Sequence, residues 1–165
     1  MLDQNALDTL FNNARSHNGW LDSDVSNEQI NQIYELMKYG PTAANNSPAR
    51  ITFVKSAAGK QKLKAHLDEG NVDKAMAAPV IAIISYDIEF YEKLPFLFPH
   101  ADARSWYAGN DAKIKSAGEM NATLQGAYFM MAARSVGLDC GPMGGFNSDT
   151  LDKEFFADGK TKSIF

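Results

Sequence analysis

The sequence of 165 residues has little of several things that would decide its function class. A single cysteine, Cys140, rules out an internal disulfide, so no oxidising compartment is implied. No apolar run approaches the roughly 18 residues of a membrane span, and no basic segment opens the chain as in a signal peptide. Lysine and arginine number 16 against 20 acids, and the net charge of −4 argues against a nucleic-acid groove. We therefore expect one cytoplasmic domain over residues 1–165, with neither nucleic acid nor membrane as a partner.

The motifs of common nucleotide, hydrolase and metal sites are missing as well. The run Gly141–Gly145 lacks the G-x-G-x-x-G spacing and follows a predicted helix instead of a strand, which disfavours a Rossmann site. No Walker loop and no G-x-S-x-G elbow occurs. His17, His66 and His100 are isolated, so we expect no metal site and interpret them as packing or surface residues. Cys140 is interpreted as a small buried thiol.

Hydrophobic periodicity, by contrast, is well developed in three places and predicts helices there. The first helix has an apolar face from Leu7 to Ala14. The second begins at a capping box of Ser26 and Gln29 and is stopped by Gly40–Pro41. The residues of its predicted buried stripe are Ile30, Ile33, Tyr34 and Met37.

The third predicted helix is the longest, from about residue 112 to residue 136, and Gly137 ends it. The residues that keep its apolar period are Ala117, Met120, Leu124, Ala127, Tyr128 and Met131. Residues 127–133 are apolar all round. We therefore expect this helix to be central and buried on most sides.

Two strands and two shorter helices complete the prediction. Ile51–Val54 is short and β-branched, and Val80–Tyr86 is a continuous apolar run typical of a strand buried on both faces. Helices are predicted at Gly59–Leu67 and Thr150–Phe156. Segment 87–110, rich in aromatics and proline, predicts an irregular excursion that serves as a lid or a subunit contact. Helix exceeds strand and no βαβ repeat occurs, so the predicted class is α+β.

Three loops of small and amide-bearing residues remain as candidates for a binding site. Arg15–Asn18 offers a guanidinium, a hydroxyl and an amide, and the first two suit a phosphate. Gly40–Pro48 and Gly141–Phe146 contain glycines, which let backbone N–H groups approach a flat ligand closely. Each loop taken alone is better interpreted as an ordinary turn.

In combination the loops resemble the nitroreductase family of FMN flavoenzymes, and the resemblance covers the whole chain. The run Pro41–Pro48 matches the family signature P-[ST]-x-x-N-x-x-P. Two further segments, Ala14–Trp20 and Phe98–Trp106, are similar to the malonic semialdehyde reductase branch of pyrimidine degradation. Ser47–Arg50 replaces the family's usual Q-P-W and supports the same branch.

The resemblance implies a role for each matching residue. Arg15 and Ser16 would hold the FMN phosphate, and Asn18 and Asn71 would bind the pyrimidine ring. The residues that would line the ring are Pro41, Thr42 and Ala43, with Asn45 shaping the same pocket from the neighbouring subunit. The loop that would face the flavin N5 edge consists of Pro142, Met143, Gly144 and Gly145, and its two glycines would offer a backbone N–H. The implied fold is a mainly antiparallel sheet flanked by helices, in an intertwined homodimer with two flavins at its interface.

The implied activity is that of an FMN-dependent NAD(P)H oxidoreductase working in two half-reactions. NADH or NADPH would give a hydride to FMN N5, and a small-molecule substrate would then collect it. Because the cofactor performs this chemistry, no catalytic side chain is predicted. Two alternatives stay open, a broad nitro- or quinone reductase and a non-catalytic flavin-binding module.

The branch implies one particular substrate, malonic semialdehyde, which would be reduced to 3-hydroxypropanoate. Its carboxylate needs a cation, and Arg104 is the candidate because it lies in a segment that resembles the branch. A structural salt bridge between Arg104 and Asp102, or another acid, is at least as well supported.

The end of the sequence carries one more expectation. Thr161–Phe165 predicts the beginning of a strand, which is short against the usual length of roughly 5–6 residues. The resemblance implies a further strand, a glycine-containing turn and a basic segment after Phe165, and this segment would complete the phosphate clamp. We therefore expect the sequence to be a fragment or to omit residues at this end, and we expect a longer chain to bind FMN more tightly.

Overall fold

A computed structural model describes all 165 residues and contains seven α-helices and three β-strands. The helices are α1 (Gln4–Leu7), α2 (Asn27–Met37), α3 (Ala57–Lys64), α4 (Glu69–Ala77), α5 (Leu94–Leu97), α6 (Asp111–Ser135) and α7 (Ser148–Phe155). The strands are β1 (Ala49–Val54), β2 (Ile81–Asp87) and β3 (Thr161–Ser163). A π-helical turn over Asp8–Asn12 continues α1, and 3-10 turns occur at Ala43–Asn45, Phe90–Lys93 and Ala103–Trp106. None of the helices combines the length and apolarity needed to span a membrane.

The strands form one antiparallel sheet in the order β1-β2-β3. Ile51 lies opposite Ile84 in the first pair, and Ser85 lies opposite Ser163 in the second. Four consecutive residues of β2, from Ile83 to Tyr86, are buried. This confirms the strand that the continuous apolar run predicts, and the α+β class with it.

Local signals place the helix ends well. Ser26 and Gln29 form both hydrogen bonds of the capping box at the start of α2, which ends three residues before Gly40. Gly137, with a φ of 84°, follows the end of α6. The side chain of Asn147 accepts the N–H of Thr150 at 3.0 Å and caps α7.

Helix α6 is central, but the face that it buries differs from the prediction. Its buried residues are Ile114, Gly118, Asn121, Ala122, Gln125, Gly126, Ala132 and Ala133. Met120, Leu124 and Tyr128 of the predicted apolar stripe are 56%, 45% and 43% exposed. The expectation that α6 is buried on most sides is therefore wrong for a single chain, because its buried face consists of small and amide residues, which pack more closely onto the sheet than the large apolar ones. Tyr34 of α2, predicted as buried, is 57% exposed.

Two regions have more order than the sequence predicts. Helix α4 was not predicted, since its residues show little periodicity. The 87–110 segment, predicted as irregular, contains short helical turns around a small core of its own. The buried members of that core are Phe90, Leu94, Ala103 and Tyr107, joined by Ile114 of α6.

The strand predicted to begin near Thr161 is present as β3. Helix α7 holds it, because the N–H and hydroxyl of Ser163 donate to the buried carboxylate of Asp152 at 3.0 and 2.7 Å. Lys162 lies 3.8 Å from the same carboxylate. The pairing with β2 makes this short strand part of the sheet.

Candidate functional site

The Arg15–Asn18 loop lies directly against the glycine-rich loop that follows α6. The His17 N–H donates to the carbonyl of Cys140 at 3.0 Å, and Ser16 forms an isolated parallel β-bridge with Cys140. A Cβ at Gly141 would stand 2.3 Å from the carbonyl oxygen of His17, so this approach requires glycine. Two of the predicted loops are therefore neighbours in the structure.

Helix α4 adds an amide and a cation to the same place. Asn71 Nδ2 donates to the Gly145 carbonyl at 2.8 Å, and Lys74 Nζ lies 3.3 Å from Asn18 Oδ1. The indole N–H of Trp20 donates to the Lys74 carbonyl at 2.7 Å and fixes the far end of the loop. The predicted site residues that these contacts bring together, called the loop cluster below, are Arg15, Ser16, Asn18, Asn71, Pro142, Met143, Gly144 and Gly145.

The loop cluster presents donors that the chain itself does not use. The backbone N–H groups of Met143, Gly144 and Gly145 donate to no acceptor within the chain, and a Cβ at Gly144 would meet open space. Arg15 is exposed and has no carboxylate partner. Its Nη1 donates to the carbonyl oxygens of Asn12 and Ala14 at 2.9 and 2.7 Å. This donor set suits an anionic ligand rich in acceptors.

A cavity of about 770 Å³ opens beside the loop cluster. It is lined by 33 residues, 24 of them hydrophobic, and its polar lining includes His17 and Lys74. The thiol of Cys140 also lines it, and burial raises the pKa of that thiol, so Cys140 stays protonated near neutral pH. No group of three or more histidine, cysteine, aspartate or glutamate side chains is placed to hold a metal ion.

The other predicted ring contacts, Pro41, Thr42, Ala43 and Asn45, lie in the loop between α2 and β1. Two side chains of α6 bind the backbone of this loop and of the first residue of β1. Asn121 Oδ1 accepts the N–H of Ala43 at 2.7 Å, and Gln125 Oε1 accepts the N–H of Ala49 at 2.9 Å. Both amides are buried, with exposures of 0% and 6%. Neither amide was predicted as a site residue, although two amides four residues apart in a helix otherwise rich in apolar residues are a detectable signal.

The same loop is strained. Ala44, Asn45 and Ser47 have φ angles of 50°, 52° and 39°, which side chains other than glycine adopt at a cost of about 1–3 kcal/mol each. Asn46 is 1% exposed, and neither polar atom of its side chain has a hydrogen-bond partner. Backbone strain of this kind concentrates at ligand-binding sites.

Arg104 belongs neither to the loop cluster nor to the loop between α2 and β1. Its Nε and Nη2 donate to the two carboxylate oxygens of Glu92, both at 2.7 Å, and this guanidinium lowers the pKa of Glu92. The salt bridge that the sequence left open therefore forms with Glu92. Asp102 instead caps its own turn by accepting the Ser105 N–H at 3.3 Å. The Nη1 atom of Arg104 takes no part in the ion pair.

The model of one protein family, the nitroreductase family, matches residues 13–164. The chain belongs to the nitroreductase family. Among its relatives, a protein of Ralstonia nicotianae provisionally named NADH dehydrogenase/NAD(P)H nitroreductase is 54% identical over 164 residues, which are 99% of this chain and 84% of the relative.

Solved structures of similar proteins confirm the nitroreductase-like fold. A provisionally named nitroreductase of Bacillus subtilis has a TM-score of 0.85 at 20% identity, covering 98% of this chain and 86% of the other. A similarly named protein of Exiguobacterium sibiricum, solved in complex with FMN, has a TM-score of 0.84 at 17% identity over 99% of this chain and 86% of the other.

The two adjacent glycines of the loop cluster provide a matched pair of substitutions. A Cβ at Gly145 would stand 2.4 Å from Asn71 Nδ2 and 2.8 Å from Asp68 Oδ2. We expect Gly145→Ala to lower the free energy of unfolding by about 1–3 kcal/mol, because α4 must move away from the loop. Gly144→Ala, which meets open space, should change it by less than about 0.5 kcal/mol. Denaturant titration measures both values, and equal effects would contradict the close packing of α4 on this loop.

Proposed function

We propose that this nitroreductase-family chain is an FMN-dependent NAD(P)H oxidoreductase of the cytoplasm. The observation that carries the proposal is the donor set of the loop cluster, in which two neighbouring loops supply three consecutive unused backbone N–H groups and a cation without a carboxylate partner. The relative from Ralstonia has an NAD(P)H reductase name, and the structure from Exiguobacterium with the same fold contains FMN. A lone thiol and the use of NAD(P)H favour the cytoplasm.

FMN, when bound, accepts a hydride from NAD(P)H and passes it to an organic acceptor. Arg15 and Ser16 would hold its phosphate through charge-assisted and hydroxyl hydrogen bonds. Asn18 and Asn71 would bind the pyrimidine ring. Because Asn71 Nδ2 is committed to the Gly145 carbonyl, its Oδ1 is the atom left for a ligand N–H.

The remaining groups of the loop cluster would act on the flavin ring. The free N–H groups of Met143, Gly144 and Gly145 would bind an acceptor atom of the ring, with Pro142 beside them. Lys74, which the sequence analysis missed, places a positive charge within reach of Asn18 and would stabilise negative charge on the ring. The residues that would line the ring from the second loop are Pro41, Thr42 and Ala43, together with Asn45 of the neighbouring subunit.

Reduction of the bound flavin tests the proposal directly. We expect the protein to be yellow as purified and to lose its flavin absorbance when NADH or NADPH is added without oxygen, because the flavin takes up the hydride. An added organic acceptor should restore the colour. A bound flavin that neither nucleotide bleaches would instead indicate the non-catalytic flavin-binding module.

The phosphate assignment is tested by Arg15→Ala. Loss of one charge-assisted contact costs about 1.5–3 kcal/mol, so the dissociation constant for FMN should rise by about tenfold or more. Fluorescence titration of FMN measures it. Lys153→Ala removes another exposed cation without a carboxylate partner and should leave the constant within about twofold of the parent. An equally small change for Arg15→Ala would contradict the assignment.

Three observations support a homodimer with composite sites. A folded monomer of this mass is expected to expose about 8,100 Å², whereas this chain exposes 9648 Å². Met120, Leu124 and Tyr128 form an exposed apolar row along α6. No hydrogen bond joins the loop cluster to the Pro41–Asn45 loop, as expected if one subunit supplies the first and its neighbour supplies the second.

The exposed row on α6 gives the test of assembly. Sedimentation should show twice the 18.1 kDa mass of one chain for the parent. Leu124→Glu should shift the protein to monomers and weaken FMN binding, because it places a charge in an apolar interface. Lys153→Glu, at an exposed position of α7, is the control and should remain a dimer. A parent monomer that binds FMN tightly would contradict the composite site.

We propose malonic semialdehyde as the physiological acceptor, because the segments Ala14–Trp20 and Phe98–Trp106 resemble the malonic semialdehyde reductase branch. Nη1 of Arg104 would donate to the carboxylate of this substrate. The second candidate is a broad nitro- or quinone reductase. The cavity favours that candidate, since 24 of its 33 lining residues are hydrophobic and its volume of about 770 Å³ far exceeds a three-carbon acid.

Arg104→Ala separates the two acceptors. With FMN saturating, kcat/KM for malonic semialdehyde should fall by about tenfold, because a charge-assisted contact is lost, while kcat/KM for menadione stays within about twofold. Arg50→Ala is the matched control, since Arg50 is another exposed arginine in an ion pair, with Asp87 at 2.6 Å. Equal losses for both acceptors would assign Arg104 to a structural role.

A further inference from the structure

A single hydrogen bond orients the side chain of Asn45. Its Nδ2 donates to the carbonyl oxygen of Leu97, the last residue of α5, at 3.0 Å. Because a carbonyl only accepts, Nδ2 must face α5, and Oδ1 of Asn45 is the atom left for a ligand. Asn45 is otherwise exposed, so nothing else in the chain fixes which way its amide points.

The 87–110 segment, called the lid segment here, meets the Asn45 loop at a second point. Ala44 packs against the core of the lid segment, which includes Phe90 and Leu94 with exposures of 1% and 0%. Ala44 and Asn45 are also two of the residues with positive φ. The strained backbone and the Asn45 amide therefore both depend on where the lid segment lies.

An ion pair joins two turns within the lid segment. Glu92 lies on the turn that leads into α5, and Arg104 lies on the later turn Ala103–Trp106. Arg104 donates to both carboxylate oxygens of Glu92, and its guanidinium lies 5.9 Å from the centre of the Tyr91 ring. A bidentate pair fixes orientation as well as distance, so it defines the position of α5 relative to the rest of the segment.

We propose that Glu92 and Arg104 are positioning residues for Asn45. By fixing α5, they hold the Leu97 carbonyl where it engages Nδ2 and turns Oδ1 of Asn45 towards a bound ligand. The ligand group that this arrangement recognises is a hydrogen-bond donor, an N–H or O–H. The inference rests on the proposed function, in which Asn45 completes the FMN pocket of the neighbouring subunit.

An ordinary surface ion pair is the competing explanation, because both side chains are about half exposed and such pairs contribute little to stability. The two explanations differ in where the effect appears. A surface pair alters only overall stability, whereas a positioning pair alters the Asn45 loop and the affinity for FMN.

Charge reversal of the pair tests the proposal. In Glu92→Arg and in Arg104→Glu, we expect the FMN dissociation constant to rise about threefold or more, and the backbone N–H groups of Asn45, Asn46 and Ser47 to exchange with solvent faster by a similar factor. The double variant, which restores the pair in reverse, should return both values to within about twofold of the parent. The matched control is Glu154→Lys, which breaks an exposed pair with Lys62 at 3.0 Å and should change neither.

Asn45→Asp provides the second test, because it keeps the shape of the side chain but removes the donor to Leu97. It should weaken FMN binding, and adding Glu92→Arg to it should have no further effect. Additive effects, unchanged values in the single reversals or no recovery in the double variant would each overturn the proposal. A parent that binds no FMN would contradict the proposed function instead, and hydrogen exchange at Asn45–Ser47 would still decide this inference.

Discussion

The packing of α6 against the sheet is the interaction on which the rest of the structure depends. Two glycines on one face allow it, since a Cβ at Gly118 would stand 2.3 Å from the Tyr86 ring and a Cβ at Gly126 would stand 2.5 Å from the Phe165 ring. Between them, Asn121 and Gln125 bind the backbone of the loop that precedes and enters β1. One face of α6 therefore packs on β2 and on Phe165, which follows β3. The same face holds the loop that contains half of the candidate site.

This dependence explains what the sequence could and could not predict. The capping box of Ser26 and Gln29 is decided by residues three positions apart, so it is visible in the sequence and was predicted correctly. The buried face of α6 was not, because hydrophobic periodicity finds rows of large apolar residues, and Leu124 in such a row is 45% exposed. Glycine and amide residues pack closely through shape and hydrogen bonds, which periodicity does not measure.

The candidate site divides in a similar way. Residue types and the family resemblance selected Arg15, Asn71 and the glycine-rich loop, but their proximity depends on contacts across many residues, such as Asn71 with Gly145. No local pattern predicts such a contact. Lys74 was missed because a lysine in an unpredicted helix looks like a surface charge, and only its approach to Asn18 places it in the site.

Two cations at the candidate site, Arg15 and Lys74, are not neutralised by a carboxylate of the chain. The cations that form ion pairs with carboxylates are Lys38, Arg50, Lys62, Arg104, Lys115, Lys160 and Lys162. Arg15 and Lys74 are among the other cations of the chain, which form no such pair although the net charge of −4 supplies acids in excess. Water screens the charge of the exposed Arg15 and of the half-buried Lys74, and their attraction for an anion grows when a bound ligand excludes that water. The strained loop at Ala44–Ser47 would contribute a preformed backbone, since Asn121 already binds the N–H of the preceding Ala43 in the absence of a ligand. In the proposed site, fixed backbone and unpaired charge would set the geometry in advance, and an anionic ligand that covers them would supply most of the interaction energy.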